Sequence, residues 1–335
     1  MSDWFTGITI LSYKLVAIVA IIIWLLTFTM CQNRQTASYV FTFGHVANEN
    51  HTWHLAALYF DSLLNARTNG KVRVQVFPSE QLGKEVELIR SIKSGIADMT
   101  VTGGTLQNWV QEAAFSDMPF LFRDTGHLNA VATSDIGKYI EDKILEKSGL
   151  RVVCYFERGP RHLTSNRPVS HPSDLKGLIV RIPNVPTYVA AWKSLGAKPI
   201  PMALSEVFTA LQQGTIEAQE NPMAMIYSSN FQEVQKYVNL TTHVISWGYV
   251  VIGEKQFQRL PHDLGEIFLQ SASDMQAYEH QLFLRNEEII RSELETRGMK
   301  FIEADLKAFH DQATRAVFNS LGPEMQKLYL EIGKL

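Results

Sequence analysis

Apolar and polar positions follow two periods along most of the chain. Tyr39 to Gly44 (YVFTFG) alternates aromatic and small residues, which predicts a strand ending in glycine. From Thr52 to Asn65 the apolar positions Trp53, Leu55, Ala56, Tyr59, Phe60 and Leu63 have helical spacing, and Gly70 stops the run. Val72, Val74 and Val76 alternate with polar residues up to Pro78, a second strand. Glu85 to Lys93 predicts a helix stopped by Gly95, and Met99 to Thr102 a short strand entering Gly103-Gly104. The order β-α-β-α-β favours a parallel sheet with helices on its faces. Leu150 to Phe156 and Leu178 to Arg181 repeat the strand pattern, and Tyr188 to Leu195 and Ala203 to Gln212 the helical one.

One helical stretch stands out by length. Leu264 to Arg297 has no proline, and its only glycine, Gly265, lies at the start. A continuous helix there would approach about 50 Å at 1.5 Å per residue. The pattern fits either one long helix bracing two lobes or two helices with a kink.

The N-terminal stretch differs in kind. Leu15 to Met30 reads LVAIVAIIIWLLTFTM, with Lys14 before it and Arg34 after it. Such a run can enter a bilayer as a helix. Residues 1–38 are therefore expected to be a signal peptide or an N-terminal membrane anchor. Thr36, Ala37 and Ser38 offer small residues for cleavage. The alternative of lipidation at Cys31 is disfavoured by the preceding Phe28-Thr29-Met30. Every one of these fates exports the remainder.

Composition narrows the function. The 335 residues are 46% hydrophobic and 19% charged, the balance of a globular chain of about two domains. Lysine and arginine number 31 against 34 acidic residues, a net charge of −3, so nucleic acid is not an expected partner. The two cysteines, Cys31 and Cys154, support neither a disulfide scaffold nor a cysteine-rich metal site. Walker A, H-E-x-x-H, C-x-x-C and G-x-S-x-G signatures are missing from the sequence. His45, Glu49, His51 and His54 fall close enough to consider a metal, but polar residues after a strand more often line a solvated or ligand-facing loop. No metal or other cofactor is expected.

Ligands of open α/β sheets bind at the carboxyl ends of strands. Arg161 follows the strand ending near Phe156, and Arg181 ends the strand LIVR. Arginine offers a planar fork that fits a carboxylate with two bonds. Three apolar residues precede Arg181 and Ile182-Pro183 follow it, which predicts a buried stem.

Several segments carry a family resemblance: FPSEQLGKEVELIRSIKSGIADMT (77–100), MPFLFRD (118–124), RHLTSNRPV (161–169), DLKGLIVRIPN (174–184), GAKPIPMALSEVFTALQQGTIEAQENP (196–222) and FQEVQKYV (231–238). In this order the chain resembles, from about Phe41 to about Phe309, the DctP-like substrate-binding proteins of tripartite ATP-independent periplasmic (TRAP) transporters. The resemblance implies an α/β, two-lobe periplasmic-binding-protein-like fold with a ligand cleft between the lobes and one long bracing helix. It places lobe one at about 39–158 and 247–286, and lobe two at about 159–246 and 287–335.

It also implies a site. Arg181 would form the main ion pair with a ligand carboxylate, Arg161 would assist, and Asn221 would line the cleft. The loop after the first strand would bring Glu49, Asn50 and His51 to ligand hydroxyls. Trp247 would either stack on the ligand or lie in the core, and Tyr249 likewise. Gly103 and Leu204 depart from the residues of sialic-acid-binding members. The implied function is capture of a small organic acid, foremost a sugar acid such as a uronate or keto-gulonate, and its delivery in the periplasm to the permease subunits of a TRAP transporter. The exported domain is expected to be a monomer and not an enzyme. The alternatives are a C4-dicarboxylate or sialic acid receptor and a tethered ligand sensor. A periplasmic enzyme on the same scaffold would need Glu49 or His51 as its base.

Overall fold

The computed structural model describes residues 37–335. The apolar N-terminal segment, with the expected signal or anchor and Cys31, lies outside them. Among the described residues no helix is long and apolar enough to cross a membrane.

The first lobe forms around a five-stranded sheet. Its strands are β1 (Tyr39–Gly44), β2 (Val72–Phe77), β3 (Met99–Thr102), β4 (Leu150–Glu157) and, returning from the second lobe, β10 (Trp247–Gly253). The order is β2-β1-β3-β10-β4. β1 runs parallel to β2 and β3, whereas β10 is antiparallel to β3 and β4. Helices α1 (Thr52–Arg67), α2 (Glu85–Ser94), α3 (Thr125–Ala132) and α4 (Asp135–Ser148) belong to the same part of the chain.

Local chemistry sets these boundaries. His51 starts α1 by accepting a hydrogen bond at Nδ1 from the Trp53 N–H. At its end Thr68 donates its hydroxyl to the Leu64 carbonyl, and Gly70 turns the chain with φ of 80°. Trp53, Ala56, Ala57, Phe60 and Leu64 form the buried stripe of α1. Burial of side chains like Phe60 contributes roughly 1.5–3 kcal/mol each.

The second lobe is built on a six-stranded sheet, β11-β9-β5-β8-β6-β7. Its strands are β5 (Arg161–Ser165), β6 (Ile179–Ile182), β7 (Lys198–Pro201), β8 (Ala218–Pro222), β9 (Tyr237–Val244) and β11 (Lys300–Glu303). Helices α5 (Pro186–Ser194), α6 (Leu204–Gln212) and α7 (Met223–Ser228) connect them, and α8 (Glu254–Phe257) follows β10. The chain crosses between the sheets after β4, after β9 and along α9 (His262–Thr296).

α9 is a single helix of 35 residues, which decides between the two readings of its sequence. Leu264, Phe268, Ala272 and Met275 pack in the first-lobe core, with Phe268 edge-on to Phe60 at 5.0 Å. Leu294 packs in a core of the second lobe. The helix therefore braces both. After it come α10 (Leu306–Asn319) and α11 (Pro323–Ile332). α11 returns to first-lobe elements: His127 on α3 lies 2.9 Å from the Ile332 carbonyl through Nε2.

Candidate functional site

A cleft of about 380 Å³ lies between the lobes. That volume is within the range of about 300–1,000 Å³ usual for small-molecule sites. One wall carries Glu80, Lys84, Glu85, Gly103, Gly104 and Asp117, and the other Arg181, Met202, Leu204, Glu206 and Asn221. Arg158 and Arg161, on either side of the crossing after β4, also line it.

Arg181 stands in β6 between buried Val180 and Ile182 and is 4% exposed. Its Nε and Nη2 donate to the Met202 carbonyl at 2.9 and 2.6 Å. Those two bonds fix the plane of the guanidinium. Among the described residues it has no carboxylate within 4 Å. Burial lowers its pKa to about 10; Glu220 opposes the shift and Arg161 adds to it. Arg181 is still a cation at neutral pH, desolvated and without a counter-ion in direct contact.

Arg161 is the opposite case. Its Nε lies 2.5 Å from Glu220 Oε2 and its Nη2 2.8 Å from Glu220 Oε1, and Nη2 also donates to the Asn221 Oδ1 at 3.1 Å. Antiparallel pairing of β5 with β8, Leu163 opposite Glu220, holds them together. Glu220 is further bonded by His243 Nε2 at 2.9 Å, and His243 Nδ1 lies 2.8 Å from the Thr241 hydroxyl. Burial disfavours the Glu220 anion, but the charge of Arg161 and the His243 bond outweigh it and hold its pKa at about 2. Arg161 is thus a fixed strut, with its charge compensated from within.

A third arginine joins them. Arg158 Nη1 lies 3.9 Å from Asp117 Oδ2, and Asp117 accepts the Gly104 N–H at 2.8 Å. A Cβ at Gly104 would come within 2.0 Å of Asp117 Oδ1, and one at Gly103 within 2.7 Å of Arg158 Nη1. The glycine pair exists for this close approach. Burial pushes the pKa of Asp117 up to about 6, against the pull of Arg158. Beside it Glu85 accepts hydroxyl hydrogens from Thr102 and Thr105 at 2.8 and 3.0 Å.

The walls touch at the mouth. Lys84 Nζ meets Glu206 Oε1 at 2.7 Å, and Asn108 Nδ2 donates to the Asn184 carbonyl at 2.9 Å. A cleft bridged in this way, with a buried cation facing inward, is suited to enclosing a small anion. The chain matches the model of the bacterial extracellular solute-binding protein family 7 over residues 43–327. The chain belongs to that family.

Other members bear this out. A solute-binding protein of Roseobacter denitrificans is 46% identical over 85% of this chain and 88% of its own. The 2,3-diketo-L-gulonate-binding periplasmic protein YiaO of Escherichia coli is 36% identical over 80% of this chain and 83% of its own. A crystal structure of a TRAP periplasmic solute-binding protein from Roseobacter denitrificans, with bound L-galactonate, superposes with a TM-score of 0.87 at 44% identity. It covers 89% of this chain and 99% of that one. The two lobes and their cleft are those of the TRAP solute-binding proteins.

Within this solute-binding fold the sequence-based candidates divide. Arg181, Arg161 and Asn221 line the cleft together. Glu49 and Asn50 are exposed in the loop before α1 and do not line it. His51 is turned away by its capping role and lines a separate small space with Trp53, Arg158 and Phe283. Trp247 is 3% exposed and packs against Phe122, Tyr155 and Tyr249, so it lies in the core. His45 and His54 contact each other at 3.2 Å, and the described residues contain no group of three that could hold a metal.

Sequence reasoning missed Arg158, Asp117, Glu80 and Glu85. Arg158 was within reach, three residues before Arg161 in the same E-R-G-P-R turn.

Proposed function

We propose that this protein is the periplasmic receptor of a TRAP transporter for a sugar acid. The ligand carboxylate binds the outward edge of Arg181, with Arg161 and Asn221 forming the adjoining wall. The observation that carries this reading is the buried guanidinium of Arg181, held in plane by Met202 yet without an ion pair among the described residues. Desolvation makes a bidentate bond there both strong and selective. The relatives favour polyhydroxy monoacids: L-galactonate is bound in one and 2,3-diketo-L-gulonate names another.

The lobes are about 39–158 with 247–286, and about 159–246 with 287–335, α11 reaching back from the second to the first. The receptor is a monomer that releases its ligand unchanged to membrane permease subunits, without catalysis. Residues 1–38 direct its export.

The test is a thermal-shift panel of L-galactonate, L-gulonate, galacturonate, 2,3-diketo-L-gulonate, succinate and sialic acid, each beside a neutral analogue. A ligand at about a hundred times its Kd adds about 2.7 kcal/mol of stability. A shift with a sugar monoacid, without one for its neutral analogue, supports the reading. A shift confined to succinate or sialic acid refutes the ligand class.

A further inference from the structure

Most charged groups of the cleft have their partners within the protein. Arg161 is bound by Glu220, Lys84 by Glu206, and each oxygen of Glu85 accepts a threonine hydroxyl. Arg181 and Glu80 remain, beside Arg158 and Asp117, which approach each other only to 3.9 Å. Glu80 belongs to the turn between β2 and α2, where Ser79 and Glu80 both have left-handed backbone, φ 54° and 59°. Residues with a Cβ adopt that conformation at a cost, and persist in it where the surroundings impose it. Here the exit of β1 imposes it: the Ser79 N–H bonds the Ala47 carbonyl at 2.8 Å, and the Glu80 N–H bonds that of His45 at 3.1 Å. The turn directs the Glu80 side chain into the cleft wall. Both its carboxylate oxygens are shielded from solvent, and neither has a hydrogen-bond partner. Burial pushes its pKa up, while nearby Ser205 and Arg181 temper the shift.

We infer that Glu80 determines the specificity of the cleft: it accepts hydrogen bonds from ligand hydroxyls and rejects acids that bring a second carboxylate against it. The inference rests on the proposed function, in which a single ligand carboxylate occupies Arg181. A hydroxyl donating to a buried carboxylate forms a strong charge-assisted bond. A second carboxylate would meet a like charge where water cannot screen it. Asp117 reinforces the same wall, because its Oδ1 is also buried without a partner. Of the cations near that wall, Arg158 lies 3.9 Å from Asp117 and offsets its charge rather than that of Glu80, and Arg90 is exposed at the mouth, where water screens it. The ligand class is thereby narrowed to polyhydroxy monocarboxylates, with aldarates and C4-dicarboxylates excluded.

The test is calorimetric titration of wild type, Glu80→Gln and Glu80→Asp with L-galactonate and with galactarate, which carries a carboxylate at both ends. Wild type should prefer galactonate by about 100-fold or more. Glu80→Gln keeps the side-chain shape and should weaken galactonate by roughly 10-fold or more while narrowing the preference below about 10-fold. Glu80→Asp keeps the charge, so it should weaken galactonate but still reject galactarate. A Glu80→Gln protein with wild-type affinity and preference would overturn the role of Glu80 and leave the sugar-acid reading standing. Equal binding of both acids by wild type would overturn it too. Wild type that binds no sugar acid would overturn the ligand reading itself and this inference with it.

Discussion

The guanidinium of Arg181 grips the carbonyl oxygen of Met202 with two N–H groups, at 2.9 and 2.6 Å. This one contact ties the cation of β6 to the turn that leads into α6. It leaves the far edge of the fork toward the cleft. It also means that Arg181 is positioned without a carboxylate, unlike Arg161 beside it.

Replacing Arg181 by alanine should therefore separate binding from stability. Loss of a desolvated charge partner costs a ligand about 2–5 kcal/mol, or tens to thousands-fold in affinity. The unliganded protein gives up two hydrogen bonds but also sheds an uncompensated buried charge. Calorimetry should show binding lost, while the melting temperature without ligand stays close to wild type.

Glu220→Gln should do the reverse. It leaves Arg161 buried without its anion, and breaking such a pair costs about 3–5 kcal/mol. Urea unfolding at neutral pH should show that loss. Acid should have a similar effect on wild type. The Glu220 pKa is depressed to about 2 in the folded state, so its contribution is complete above the unfolded carboxylate pKa. That contribution fades as pH falls from about 4.3 toward 2. In Glu220→Gln the acid limb of the stability curve should be shallower.

Glu279 has the opposite sign. It is 1% exposed on α9, accepts the Thr52 hydroxyl at 2.7 Å, and burial raises its pKa to about 8. A carboxyl with a raised folded pKa stabilises below its unfolded value, and that stability is lost as pH climbs toward 8. Glu279→Gln should match wild type near pH 4 and melt at a higher temperature at pH 8.5. Identical melting curves at both pH values would show that Glu279 is ionised at no cost.

Gly104→Ala probes the cleft floor. The new Cβ would sit 2.0 Å from Asp117 Oδ1, so Asp117 must move and with it Arg158. Affinity for a sugar acid should drop by at least about 10-fold, since a misplaced polar wall forfeits hydrogen bonds that only the ligand can use. Cys154→Ala is the control: the thiol is buried in the first-lobe core, away from the cleft. Its affinity should equal that of wild type.

The sequence made the fold legible wherever one face of an element is apolar. β1 and β2 alternate cleanly, and their spans emerge from the pattern itself. β8 (AQENP) shows the limit. All five of its residues are buried, three of them polar, because Gln219, Glu220 and Asn221 find partners on neighbouring strands that no local pattern displays. The site divides for the same reason. Arg181 lies in an apolar strand, and its placement follows from that strand; Arg161, expected after the strand ending near Phe156, instead opens β5, which the local pattern does not display. Asp117 and Glu80 are loop residues, whose direction depends on the Gly103-Gly104 approach and on a left-handed turn. His51 and Trp247 carry attractive chemistry, but helix capping and core packing claim them first.

The most direct measurement is calorimetric titration of L-galactonate into wild type and into Arg181→Lys. Lysine keeps the positive charge and loses the planar fork. Wild type should bind tightly and the variant should lose at least about 10-fold, because a point charge cannot hold both Met202 and the carboxylate. Equal affinities in the two proteins would contradict this, and would place the ligand carboxylate elsewhere in the cleft.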